Sequence, residues 1–222
     1  MANKDISRRK FIKTGIVTIA ATGVVCCGGG ILATRGLTPA GPVETPVFSF
    51  GDPVSNSQRI LVTYATRTGS TVGVAQAIGE ALGERGFSVD VVPFLNNPDP
   101  SEYQAVLMCS AINGAQWLPE AADYVHNWKS TLQKASLALF CVHIMNLGQE
   151  TADTQRRLAY LDAIRTELPA AEEAFFAGRG MIPEETAALV RWVCRTFQII
   201  PEGDCRDWEK INAWGDKVFA EM

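Results

Sequence analysis

The chain has 222 residues, 47% of them hydrophobic, and a formal net charge of −4. Residues 1–58 hold six Lys/Arg against three Asp/Glu, which leaves −7 for residues 59–222, one domain with room for a core. That acidity argues against nucleic acid as a partner. The cysteines lack metal-type spacing, so no metal site is expected, and no Cys-His, Ser-His-Asp or paired-carboxylate arrangement supports a hydrolase.

Ser7-Arg8-Arg9-Lys10-Phe11-Ile12-Lys13 stands before a run, residues 14–34, with no charge at all. Those residues would span about 30 Å as a helix, the thickness of a bilayer core. The basic stretch resembles a twin-arginine export signal, which implies a protein exported already folded and often carrying a cofactor. Residues 1–36 are therefore read as a signal or a membrane anchor, with cleavage and retention both open. The expected location is the extracytoplasmic face of the cell membrane, or beyond it after cleavage. Residues 37–58, with Pro39, Pro42, Pro46 and Pro53, read as an extended linker, and the domain is expected over 59–222.

Ile60, Leu61 and Val62 open a short apolar strand that runs into Thr66-Arg67-Thr68-Gly69-Ser70-Thr71. From there Val74, Ile78 and Leu82 recur at helical spacing, with Gln76, Glu80 and Glu84 on the opposite side and Gly86 as a stop. A loop that closes directly into a helix start leaves backbone N–H groups unpaired, with the positive end of the helix dipole behind them. Gly69 lets the backbone approach an anion closely, and the hydroxyls of Thr66, Thr68, Ser70 and Thr71 add donors. With neither a Gly-Lys-Ser/Thr ending nor GxGxxG, the loop suits a monophosphate that needs no metal.

Further strands are expected at Ser88–Phe94, Ala105–Ser110, Leu137–Val142 and Ala174–Ala177, alternating with helices, which predicts a parallel sheet. The helix after Pro119-Glu120 should bury Ala121, Val125, Trp128 and Leu132. Leu158, Leu161, Ile164 and Leu168 predict an extra helical segment over 149–168. Pro183 should open a helix with Leu189, Val190, Val193 and Phe197 on one face, and a last helix near Trp208 should turn Ile211, Trp214 and Val218 inward. Cys109 and Cys141 read as core, and Cys194 and Cys205 are candidates for a disulfide. His126 reads as solvated.

Thr66-Arg67-Thr68-Gly69-Ser70-Thr71 after an apolar strand resembles the T-x-T-G-x-T pattern of flavodoxins. The resemblance implies FMN and an α/β fold: a doubly wound five-stranded parallel sheet of order 2-1-3-4-5, helices on both faces, with flavin at the carboxyl ends of strands 1 and 3. It implies cofactor-binding residues in three stretches. They are Thr66 to Thr71 for the phosphate, and for the ring Ser110, Ala111, Ile112, Asn113, Gly114 and Trp117, with Val142, His143, Met145 and Asn146. His143 reads first as a buried strand-end histidine and second as a flavin donor or proton shuttle. Trp117 reads equally as a stacking partner or a rim.

Ser110-Ala111-Ile112-Asn113-Gly114, Trp117-Leu118-Pro119-Glu120-Ala121, Phe176-Ala177-Gly178 and Gly203-Asp204-Cys205-Arg206-Asp207-Trp208-Glu209 look like the flavodoxin-domain family that includes menaquinone-dependent protoporphyrinogen IX dehydrogenase. That resemblance implies an FMN oxidoreductase exchanging electrons with a membrane quinone or a redox protein. The alternatives are protoporphyrinogen oxidation in haem biosynthesis and a non-catalytic electron carrier. A dicarboxylate such as protoporphyrinogen calls for basic groups beside the flavin, and the inserted segment offers Arg156 and Arg157 with Glu150 and Asp153.

Overall fold

The computed structural model describes residues 42–52, 58–170, 172–184, 186–197 and 199–222. The export-signal and anchor readings fall on residues outside these. Among the described residues no helix is long and apolar enough to cross a membrane.

The sheet begins inside the stretch read as linker. Strand β1 (Phe48–Phe50) pairs antiparallel with β3 (Ser88–Pro93), Phe48 opposite Val91 and Phe50 opposite Val89. Three alternating residues among prolines carry too little pattern to mark a strand, and only the partner edge defines it. The other strands are β2 (Arg59–Ala65), β4 (Ala105–Asn113), β5 (Gln116–Trp117), β6 (Ser136–His143) and β7 (Glu172–Ala177). The order is β1-β3-β2-β4-β6-β7, with β5 hanging on β4. Counted from Arg59, the five parallel strands stand in the expected 2-1-3-4-5 order.

Apolar runs such as Ile60-Leu61-Val62 and Ala105 to Cys109 need cover on both faces, and two helical layers supply it. On one side Ile60, Val62, Leu107 and Phe140 meet Val74, Ile78 and Leu82 of α1 (Ser70–Glu84). On the other, Leu61, Val106, Met108 and Leu139 meet Ala121, Tyr124, Val125 and Leu132 of α2 (Pro119–Leu132). The inserted segment is broken rather than continuous: α3 (Thr151–Leu158), a 3₁₀ turn at Ala159–Leu161 and α4 (Asp162–Glu167). It adds Tyr160, Leu161, Ile164 and Leu168 to the second layer.

Residues 182–200 belong to a second, smaller compact unit. Their helix, α5, spans Ala188–Thr196, and Leu189 and Val190 are solvent-exposed there rather than covered. In the larger unit β8 (Arg179–Gly180) and β9 (Gly203–Asp204) make a two-stranded ribbon, followed by α6 (Trp208–Gly215). Asp207 caps α6 by accepting from the Lys210 N–H. Ile211 and Val218 are fully buried, and the Trp214 ring meets Phe140 and Phe176 edge-on at 5.8 and 5.7 Å. Arg85 secures the C-terminal end by donating to the carbonyls of Gly215, Val218 and Phe219. Cys109 and Cys141 are buried thiols of the core, whereas Cys194 lies in the smaller unit and Cys205 in the larger.

β1 lies so close to α1 that a Cβ on Gly83 would sit 2.6 Å from the Phe50 Cβ and 3.0 Å from the Gly51 nitrogen. Gly83→Ala should lower stability by about 1–3 kcal/mol through overpacking, outweighing the roughly 1 kcal/mol that alanine gains in an unconstrained helix. Urea unfolding checks the sign: a lower midpoint at unchanged slope is expected.

Candidate functional site: a phosphate loop and two ring loops at one sheet edge

Parallel strands in matched register deliver their carboxyl ends at one level. Ala65 stands opposite Ser110, Ala111 opposite Val142, and His143 opposite Ala177. The loops leaving β2, β4 and β6 therefore rise side by side.

The first loop enters α1 at Gly69, whose φ of +81° places it in the left-handed region, and no side chain caps the helix. Thr66 Oγ1 accepts the Gly69 N–H at 3.0 Å and holds the turn. The first turn of α1 contains no acidic residue. Arg67 is drawn off by Glu120 in a two-pronged ion pair of 2.7 and 3.0 Å, so backbone amides and hydroxyls remain as the donors for an anion. Thr68 and Ser70 hydroxyls stand 3.4 Å apart. Thr71 is fully buried, and its Oγ1 has no hydrogen-bond partner among the described residues. An orphan hydroxyl of that kind costs about 1–3 kcal/mol unless something satisfies it.

The flank of the loop is buttressed by the 204–208 stretch. Asp204 grips Arg206 through two contacts of 2.8 and 2.6 Å, and the guanidinium lies 4.4 Å over the Trp208 ring. The Arg206 partner holds the Asp204 carboxyl down to about 2. Gly73, in the first turn of α1, leaves the room: a Cβ there would meet Arg206 Nη1 at 2.8 Å.

Beyond Ser110 the strand continues to Asn113, turns through Gly114 and Ala115 with φ of +59° and +64°, and returns as β5. The expected open loop is thus a β-hairpin. Ser110 is spent inside it, its hydroxyl donating to the Ala111 carbonyl and accepting the Leu118 N–H. Trp117 is also turned inward, 7% exposed, and its indole N–H donates to Cys141 Sγ at 3.2 Å. Ser110 holds the hairpin base, and the Trp117 side chain packs as core. Ala111 and Ile112 are half-buried, and Asn113 and Gly114 are exposed.

The third loop is equally self-bound. His143 is 4% exposed, its Nδ1 donates to the Met145 carbonyl at 2.8 Å, and its ring packs beside Tyr160. Burial lowers its pKa below 6.5. That is the strand-end histidine of the first reading. Val142 is core, Asn146 takes a left-handed φ of +59° and donates to Tyr160 Oη at 2.6 Å, and Met145 is left 44% exposed. Arg157 binds this loop, donating to the carbonyls of Asn146 and Gly148 and to Thr154 Oγ1. Met145 is exposed and Ile112, Ile144 and Leu147 are half-buried, so both loops leave apolar side chains accessible.

A cavity of about 650 Å³ opens at the amino ends of β6 and β7 between Leu137, Leu168, Phe219 and Met222. In open parallel sheets ligands take the carboxyl edge, which sets this cavity apart from the site.

A family profile described as flavodoxin domain matches residues 61–184. The chain belongs to the flavodoxin domain family. No curated protein matches it. Similar solved structures include oxidised flavodoxin 1 from Bacillus cereus, at 12% identity over 74% of this chain and 99% of that one, with a TM-score of 0.48. A flavodoxin from the domain Archaea matches at 13% over 74% and 98%, TM-score 0.45. A mutant flavo di-iron protein from Thermotoga maritima matches at 15% over 78% and 37%, TM-score 0.49.

FMN is the cofactor of the flavodoxin domain, and this loop suits its phosphate: an uncapped helix start, a left-handed glycine, a buried hydroxyl lacking an acceptor and no carboxylate in the first turn. Residues that sequence reasoning missed are Glu120 and Tyr160. Each acts through a partner distant in sequence, and no local pattern announces either.

Two outcomes test the site. Thr71→Val should raise the stability of the cofactor-free protein by about 1 kcal/mol while weakening FMN binding about tenfold, because the same hydroxyl is a cost when empty and a bond when filled; thermal melts and fluorescence titration read the opposite signs. His143, its folded pKa depressed, refuses a proton that the unfolded chain takes up near pH 6.5, so stability should fall as pH drops from 7 to 5. His143→Asn should flatten that slope, which is at most about 1.4 kcal/mol per pH unit.

Proposed function

We propose that this chain is an FMN oxidoreductase, exported or held at the extracytoplasmic face of the membrane, that passes electrons between a membrane quinone or redox protein and a second partner. The observation that carries the electron-transfer reading is the uncapped α1 start with the buried Thr71 hydroxyl, beside two loops that leave Ile112 and Met145 accessible. FMN, when bound, supplies the redox chemistry. The protein's own groups bind the phosphate and shape the edge at which partners meet the ring. The membrane part of the proposal rests on Arg8-Arg9 and the uncharged run of residues 14–34.

Protoporphyrinogen oxidation in haem biosynthesis is the rival activity, and the insertion speaks against it. Arg157 is spent on loop carbonyls, and Arg156 faces Asp153 at 3.4 Å. The cations that would meet a dicarboxylate are thereby engaged. A non-catalytic electron carrier is separated from an enzyme by turnover.

The full-length protein should purify or reconstitute with a flavin absorption spectrum, and after chemical reduction it should be reoxidised by a soluble naphthoquinone in stopped flow, without turning over protoporphyrinogen. Reduction and reoxidation only with a protein acceptor would identify a carrier. Failure to hold FMN would end the oxidoreductase reading.

A further inference from the structure

We propose that residues 42–47 form a strap that walls the phosphate loop and retains FMN, an inference that rests on the FMN reading above. The strap is fastened downstream and in the middle, and its upstream end lies beside the loop. Downstream, Phe48–Phe50 is hydrogen-bonded into the sheet against β3. Tyr64, at the end of β2 and 1% exposed, donates its hydroxyl to the Pro46 carbonyl at 2.6 Å. Upstream, Val43 Cγ1 lies 3.7 Å from the position a Cβ on Gly69 would take, which sets the valine directly against the left-handed residue of the phosphate loop.

The exposure pattern agrees with a chain lying along a surface. Val43 and Thr45 are half-buried while Pro42, Glu44 and Pro46 are exposed, the period of an extended segment. From Pro46 back to Val43 such a segment covers about 10 Å, enough to pass from the end of β2 over the loop. Pro42 and Pro46 fix φ at their positions and restrict the alternatives. Burial pushes the Tyr64 phenol up to about 12, so it stays a donor at every working pH.

Chemically, the valine methyl closes a side of the loop that water would otherwise reach. A phosphate held by amides and hydroxyls, with Arg67 engaged by Glu120, depends on that exclusion, since its interactions strengthen as the local dielectric falls. The effect belongs to retention more than to encounter, so it should appear in the dissociation rate. It also suits the export reading, in which a cofactor inserted before translocation has to stay in place.

The test uses the full-length chain loaded with FMN, release being followed by recovery of free-flavin fluorescence after dilution. Val43→Asp, which sets a carboxylate beside the phosphate, should speed release about tenfold, equivalent to about 1.4 kcal/mol. Tyr64→Phe, which frees Pro46 while keeping the buried ring, should act in the same direction by a smaller factor. Both should lower the preference for FMN over riboflavin, because riboflavin lacks the phosphate; a general loss of packing would weaken both flavins alike. Equal release from wild type and Val43→Asp, slower release from the variant, or parallel loss of both flavins overturns the strap. A wild-type chain that holds no FMN overturns the cofactor reading itself.

Discussion

α1 starts with nothing to cap it, and the site is arranged around that unmet demand. Helix starts usually recruit a Ser, Thr, Asp or Asn side chain to quiet their first amides; here Gly69 occupies the position and its left-handed φ turns the loop outward. Thr66 uses only a lone pair on the turn, accepting from the Gly69 N–H, and Arg67 is claimed by Glu120. The amides and the loop hydroxyls are left over as donors. A negative ligand would complete the helix, so folding and cofactor binding would share one set of groups.

What fixes the neighbours of that helix start is strand register. Because β2, β4 and β6 are parallel and aligned at Ala65, Ser110 and Cys141, their exits cannot drift apart without breaking ladders in the buried centre of the sheet. The loops then stiffen themselves: a hairpin hung on Ser110, and a turn tied by His143, Tyr160 and Arg157. Little remains to be ordered when a flat ring arrives, and preorganisation of that kind spares binding its entropic cost.

Strand order and both helical layers were legible because Ile60 to Ala65, Ala105 to Ser110 and Val74, Ile78 and Leu82 carry strong local periods. The turn from β2 into α1 was legible because six consecutive residues, Thr66 to Thr71, make it. The ring loops were legible only as places. Ser110 and Trp117 lie in the expected stretch, yet their side chains turn to Leu118 and Cys141, and direction in a hairpin depends on a turn that Ala115 adopts against its own preference for negative φ. β1 was missed because a three-residue strand exists only by virtue of the edge it pairs with. The α5 face that periodicity marked as apolar is real as a pattern, but pattern alone does not say what covers it.

β1 and the segment before it also have a mechanical meaning. Any pull on the chain ahead of residue 42 reaches the sheet through the single Tyr64–Pro46 hydrogen bond, then the three residue pairs of β1 and β3. The weakest of these fastenings comes first in line, and β2 follows only after them. Tension on the N-terminal chain would therefore be spent on the cover of the phosphate loop before it loaded the fold.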